Sequence, residues 1–500
     1  MGSGERGRGV ARPPPRGVRL AALLAMSAPG DWSGRIAALL ELGVALFLVV
    51  LPLPFGAVGP AGRLLLELGA IVLLALWCVL GLLSGTRLPS RLALSGVLGL
   101  LGLTALQAVP LPIRIVEAVN PRAERLRSEV EPPPAVLEAE RRLLGPDAGL
   151  VVPESTLSLD PGVTASALRT GTALAALFLI GGAVATTRGI ERLTLALLLS
   201  AAFQGLYGFL TLASGYDRIW NTPKLFNLDS STGTFVNSNH YASYMSLALA
   251  CGAALVLRNA RRTFLSPDRM RRLSSFGAEG SRDLLLVLLL ACGIGGLLTS
   301  NSRAGIALGL LSLGVTAIAV GGGKARIRLA LLAAVAIAAA IPLVQLGPER
   351  LVESYLESGQ EMHEAGGRPT VWRDTIGMAT AFPLTGSGFG TFASVYPLFR
   401  SGEVRQFYQH AHLDLLQLAA EGGIVAVVLM ALVLVPVARA IARGLAGRQG
   451  SLAPGLAAGL GAVLLHSWVD FPFHLPAIAA TSAVVAGALL TESWREPTSA

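Results

Sequence analysis

Long apolar runs alternate with short polar breaks along this chain, and the length of the runs sets the first constraint. A bilayer core of about 30 Å needs about 20 mostly apolar residues per helix. Measured with that ruler, the sequence predicts twelve transmembrane helices, at 36–54, 62–83, 91–109, 163–186, 190–213, 236–257, 283–299, 303–320, 328–346, 415–437, 453–470 and 476–491. Two breaks, 110–162 and 347–414, are too long to be plain connectors. Loops of that length are usually functional. The first holds an amphipathic stretch, Leu111 to Val119, and then Glu131-Pro132-Pro133-Pro134, a pattern for short surface helices broken by a rigid kink. The expected layout is a basic cytoplasmic tail over 1–35, a transmembrane domain over 36–491 containing both long loops, and a cytoplasmic tail over 492–500.

Composition agrees with this pattern. Of 500 residues, 53% are hydrophobic and only 14% charged, which excludes an ordinary set of soluble domains. A net charge of +9 could point to nucleic acid, but the basic residues fall mostly in short loops between apolar runs, so no nucleic-acid partner is expected. With the N-terminus inside, inner segments hold 24 of the 40 Lys and Arg, and the two long outer loops offset their cations with 17 carboxylates. The positive-inside rule then gives an N-in, C-in all-α polytopic membrane protein of about 12 helices with two large extracytoplasmic loops. A cleavable signal at Leu20 to Ala28 would invert every later loop, so a cytoplasmic tail is the reading adopted. Cys78, Cys251 and Cys292 all lie in apolar runs and have no metal-ligand spacing.

Ionisable residues near the helix ends carry the candidate chemistry. Ser300-Asn301-Ser302-Arg303-Ala304-Gly305 puts a guanidinium at the outer end of two consecutive helices, where charge needs a partner or must snorkel to water. Arg368 follows Gly366-Gly367 and precedes Pro369, so it is expected on an irregular outer segment, with Arg373, His363 and the turn Gly386 to Gly390 in the same loop. Two outer arginines can cradle a pyrophosphate, since the planar fork binds phosphate oxygens bidentately.

Gln409-His410-Ala411-His412-Leu413-Asp414 leads into the tenth helix, and His412 at its watery start can accept a proton from a hydroxyl nucleophile. A solvated loop histidine is the plain alternative. A metal site at His410, His412 and Asp414 fits poorly, because in a helix His410 would face Asp414 and leave His412 apart; no metal or cofactor is expected. Gly233-Thr234-Phe235-Val236-Asn237-Ser238-Asn239-His240 opens the sixth helix. Capping explains Asn237 or Asn239, and His240 can line a polar cavity. Glu41 and Glu67 are costly inside helices unless paired, and Arg63 stands at i, i+4 from Glu67.

Taken together these segments resemble the O-antigen ligase and polymerase family of bacterial surface-glycan assembly. The resemblance rests on Gly233 to His240, Ser302-Arg303-Ala304-Gly305, Arg368-Pro369-Thr370-Val371-Trp372 continuing to Pro383 through Phe392, and His412 to Ile424, in that order and across 230–430. One departure is Leu413, where the family usually has Asn after the histidine. The resemblance implies a membrane-embedded glycosyltransferase-like fold in the bacterial cytoplasmic membrane that needs no metal. It would move a glycan from undecaprenyl pyrophosphate to a glycan, lipid or protein acceptor, on the extracytoplasmic side. Carried onto this chain, Arg303 and Arg368 would hold the pyrophosphate and His412 would position or deprotonate the acceptor. Arg373, Asn239, His240, His410 and Asp414 are the further candidates for substrate binding. A transporter or flippase of glycans or lipids is the main rival, but such carriers place ionisable groups near the midplane. A sensor or scaffold would want an output domain, and the inner loops are short.

Overall fold

The computed structural model describes residues 31–85, 88–130, 155–264, 278–321, 367–447 and 450–492, with a few residues between 136 and 143. The expected ninth helix at 328–346, His363, most of the N-terminal tail and the C-terminal tail lie outside them. Eleven of the twelve predicted stretches are helical. They are α1 (Trp32–Val50), α2 (Pro60–Ser84), α3 (Arg91–Ala108), α6 (Pro161–Thr187), α7 (Glu191–Ala213), α8 (Ser238–Phe264), α9 (Ala278–Leu298), α10 (Arg303–Gly321), α13 (Asp414–Leu445), α14 (Ala453–His466) and α15 (Pro476–Glu492). Nine of the described helices are long and apolar enough to cross a membrane, and α14 and α15 are shorter apolar helices. The protein is an all-α polytopic membrane protein. Short helices α4 (Ile113–Val119), α5 (Pro121–Val130), α11 (Arg368–Ala381) and α12 (Phe392–Val395) lie in the described parts of the long breaks, and a two-stranded hairpin pairs Arg218–Ile219 with Thr222–Pro223.

Burial explains which helix carries which residues. The span of α8 is buried along its whole apolar window, so its Tyr244 hydroxyl can bond Ser200 Oγ at 2.7 Å and its Ser246 can bond Ala242 O at 2.8 Å, away from lipid. Helix α13, with only 22% of its window buried, is apolar on its outside instead. Small residues set the closest approaches. Gly455 and Gly459 of α14 face the Ala250 and Leu247 carbonyls of α8, at 2.5 and 2.7 Å from where a Cβ would stand.

Those contacts also fix which helix ends lie together. Gly305 of α10 packs on Ala242, and Gly309 on Ser246, so α8 and α10 run parallel with Ser238 and Arg303 at one end. Helix α14 runs antiparallel to α8, which brings His466 to that end, and Asp414 N donates to Ser467 O at 3.1 Å. The same end collects a second, smaller apolar core in which Val371, Met378, Phe382, Phe392 and Tyr396 pack around Ala123, Ala411 and Ala420. Arg127 of α5 ties this layer to Ser155, Thr156 and the Ser158 carbonyl.

Several local expectations are corrected. Arg368 does not lie on an irregular segment: it is the first residue of α11, because Pro369 supplies a helical φ where no N–H is needed. The stretch expected as a helix over 453–470 stops at His466 and turns, freeing 467–475 as a connector. Helix α13 runs on to Leu445 and is kinked at Gly423, whose φ of 63° and ψ of −166° interrupt the ladder. There Ile424 N donates to Pro383 O at 2.8 Å, so the 383–385 backbone is wedged against the break. Glu67 pairs with Arg169 at 3.7 Å and not with Arg63. Glu41, 4% exposed, is held by Arg188 at 3.3 Å and Arg192 at 2.5 Å.

Candidate active site

The first two turns of α13 place Asp414, Gln417 and Glu421 on one face, at i, i+3 and i+7. Asp414 takes a hydrogen bond from His474 Nδ1 at 2.7 Å and one from Phe473 N at 3.3 Å, which docks the 467–475 turn on the helix. Gln417 accepts from Ala411 N at 3.0 Å, and its amide nitrogen lies 3.2 Å from His410 Nδ1 and 3.1 Å from Glu421 Oε1. Glu421 in turn accepts from Gly390 N at 3.0 Å and Phe392 N at 2.9 Å, closing the glycine-rich turn over the helix. That turn is also held from α3, where Gln107 donates to Thr385 O at 2.5 Å and accepts from Phe389 N at 3.1 Å. Gly386, with φ of 70°, sits against the Glu421 backbone, where a side chain has no room.

The centre of the site is Asp470, 2% exposed, at the bend after α14. Its Oδ1 lies 3.4 Å from His412 Nδ1 and 3.7 Å from His240 Nε2. Both nitrogens are buried and face the carboxylate without meeting hydrogen-bond geometry to a protein partner. Arg368 Nη1 donates to Val469 O at 2.7 Å, one residue before Asp470. Burial pushes the Asp470 carboxyl up, but His240, His412 and the Arg368 charge outweigh it and hold the group well below the usual carboxylate range. For His474 burial opposes the charge, and the Asp414 contact overcomes it and raises the imidazole above its ordinary value.

Phe471 organises the rings. Its centroid lies 4.6 Å from that of His240, 4.5 Å from His410 and 4.7 Å from His412, and the His474 ring lies tilted against His410 at 4.5 Å. With His466, buried at the end of α14, five of the six histidines of the chain occupy one region. His412 itself has a left-handed backbone, φ 55°, which a non-glycine residue adopts only when its surroundings hold it there. Among the described residues no group of three or more His, Cys, Asp or Glu is arranged to hold a metal ion.

The structure brings His412, His410, His240, Asp414 and Arg368 together. Arg303 opens α10 at the same end of the bundle, in the turn where Asn301 Nδ2 donates to Asp229 O at 2.8 Å. Arg373 points elsewhere, to Glu403 at 3.2 Å on an exposed surface. Asn239 has its N–H capped by Asn237 Oδ1 at 2.7 Å, and its own side chain is half-buried beside His240. Sequence reasoning missed Asp470, Phe471, His466 and His474. Their signal is His466-Ser467-Trp468-Val469-Asp470-Phe471-Pro472-Phe473-His474, two of six histidines and an aspartate within nine residues at a Pro-marked break between apolar runs.

Residues 286–431 match a family model described as O-antigen ligase. This segment belongs to the O-antigen ligase family. The ligase segment carries Arg303, Arg368, the glycine-rich turn, His410, His412 and the α13 face, and the match supports glycan transfer of the O-antigen ligase type in general. His240, His466, Asp470 and His474 come from outside the ligase segment, so the surrounding chain completes the cluster built on it. No curated protein matches the chain.

Proposed function

We propose that this protein transfers or polymerises a glycan from an undecaprenyl-pyrophosphate carrier onto an acceptor hydroxyl, at the outer face of the bacterial cytoplasmic membrane. The observation that carries the reading is the convergence of His412 and Arg368 on the Asp470 bend, on the helix ends that the charge bias assigns to the outside. His412 takes the proton of the acceptor hydroxyl as its oxygen attacks the anomeric carbon. The bond from that carbon to the phosphate oxygen breaks, and the electron pair leaves with the pyrophosphate. Arg368 and Arg303 neutralise the departing diphosphate. Asp470 faces His412 and stabilises the imidazolium once it forms. Outside the cytoplasm no nucleotide sugar is at hand, so a donor that carries its own leaving group suits the location.

The domain layout goes with this reading: tails 1–35 and 492–500 in the cytoplasm, about 12 membrane helices over 36–491, and loops 110–162 and 347–414 outside. A proton-coupled carrier would want free carboxylates in its helices, whereas Glu41 and Glu67 are both engaged by arginines. The test replaces Arg303, Arg368 and His412 singly by Ala, checks membrane insertion, and measures cell-surface glycan. Strong loss in each is expected. Undiminished product in all three ends the proposal.

A further inference from the structure

His410 and His412 stand two residues apart, yet the bonds around them give the two rings different duties. The Gln417 side chain decides the first. The Ala411 backbone N–H lies 3.0 Å from one terminal atom of that side chain, and because an N–H only donates, that atom is Oε1. Its Nε2 therefore faces Glu421 Oε1 at 3.1 Å and His410 Nδ1 at 3.2 Å. Nε2 has two protons and no acceptor capacity, so it gives one to the carboxylate and one to the imidazole. His410 Nδ1 is thus an acceptor, and the ring carries its proton on Nε2. A second proton on Nδ1 would set two N–H groups against each other. Burial, together with the charge of His474, also pushes His410 well below the usual imidazole range. Glu421 cannot yield, because Gly390 N and Phe392 N hold its carboxylate.

We propose that His410 is a neutral hydrogen-bond donor whose Nε2–H grips an oxygen of the acceptor sugar, and that Gln417 is the positioning residue that fixes this tautomer. This rests on the reading of His412 as the group that takes the acceptor proton. Both rings lie against Phe471, at 4.5 and 4.7 Å between centroids, so one sugar can meet both. An N–H on the attacking oxygen would lower its nucleophilicity. The Nε2–H suits a neighbouring hydroxyl oxygen of the same residue, and the pair selects acceptors with two adjacent hydroxyls. No bond is made or broken at His410.

Two variants separate the possibilities. Gln417→Leu removes the donor to His410 Nδ1; Gln417→Glu keeps an oxygen toward Ala411 N–H but sets its second oxygen against both His410 Nδ1 and Glu421 Oε1, so the donor to His410 is lost while the two carboxyls share a proton. The first measurement is nitrogen NMR at pH 7 on full-length protein labelled with 15N-histidine in lipid nanodiscs, with the His410 signals identified by their loss in His410→Asn. The unaltered protein is expected to show a bare Nδ1 and a protonated Nε2, and Gln417→Leu a loss of that preference. A proton on Nδ1 in the unaltered protein overturns the proposal. The second measurement is glycan transfer by membranes containing the protein, with the concentration of acceptor glycan extracted from the producing cells varied. Both Gln417 variants should raise the apparent acceptor KM roughly tenfold, the size of one lost hydrogen bond, with kcat changed far less. An unchanged KM with a reduced kcat overturns the acceptor role. If the unaltered protein transfers no glycan, the transferase reading and the acceptor role fall together, while the tautomer result still decides what Gln417 does.

Discussion

Asp470→Asn removes one negative charge from the middle of the histidine cluster while keeping the size of the side chain. Its oxygen stands 3.4 Å from His412 and 3.7 Å from His240, and the group is 2% exposed, so water cannot replace the lost charge. A contact of this kind to a charged group contributes roughly 1.5–3 kcal/mol. If it stabilises the imidazolium that forms as His412 takes the acceptor proton, the variant should transfer glycan about ten- to hundred-fold more slowly. The lower end is the better expectation, since neither nitrogen meets hydrogen-bond geometry. The assay follows release of polyprenyl pyrophosphate from lipid-linked glycan in membrane vesicles, normalised to inserted protein. Asp470→Glu retains the charge but moves it by one methylene, and should fall between the two. Wild-type turnover in Asp470→Asn, at equal protein, refutes the coupling of this carboxylate to the chemistry.

Three further outcomes follow from the geometry. His474 has a raised value in the folded protein, so its pairing with Asp414 stabilises fully below about 6.5 and is lost as pH climbs through the folded value. His474→Gln should therefore lower Tm most near pH 6 and progressively less toward pH 9; a difference that widens with pH contradicts the pairing. Gly423→Ala forces a side chain onto a backbone with φ of 63° and against the Leu384 carbonyl, and should cost more than about 2 kcal/mol by thermal or chemical unfolding in detergent, with loss of transfer as the α13 face shifts. An unaltered Tm would refute that constraint. Glu41→Gln breaks the pair with Arg188 and Arg192 and should destabilise by roughly 1–2 kcal/mol while leaving transfer per folded molecule unchanged. Abolished transport of glycan with an intact fold would instead favour a carrier.

The architecture was legible because lipid imposes a simple rule. Among the described residues, each run that could hide its backbone polar groups in a helix did so, and the length ruler located those runs to within a few residues at most ends. It failed where tertiary contacts decide a terminus. Nothing in the periodicity of 415–437 shows that Gly423 breaks the helix, since the cause is the 383–385 backbone wedged beside it from another part of the chain. Nor does an i, i+4 spacing reveal that Glu67 finds Arg169 on α6 when Arg63 is nearer in sequence.

The site divides along the same line. His412, His410 and Arg368 were readable because they sit in polar surroundings where an imidazole or guanidinium stands out. Asp470 and His474 were hidden because the apolar run before them reads as a helix continuing through 470, and a polar residue near the end of a run looks like a boundary. The turn at 467–475 becomes informative only when Asp414 is seen accepting from both His474 and the Phe473 backbone, because that docking carries Asp470 and Phe471 to the histidines. The α13 face and the turn then act as two halves of one device. Asp414 holds the turn, Gln417 sets His410, and Glu421 closes the glycine-rich loop, while the turn returns a carboxylate to His412 and a ring on which three histidines pack. Since the ligase segment supplies only the first half, the proposed chemistry requires residues more than thirty positions beyond its end, and a chain cut after 431 should insert into the membrane yet transfer nothing.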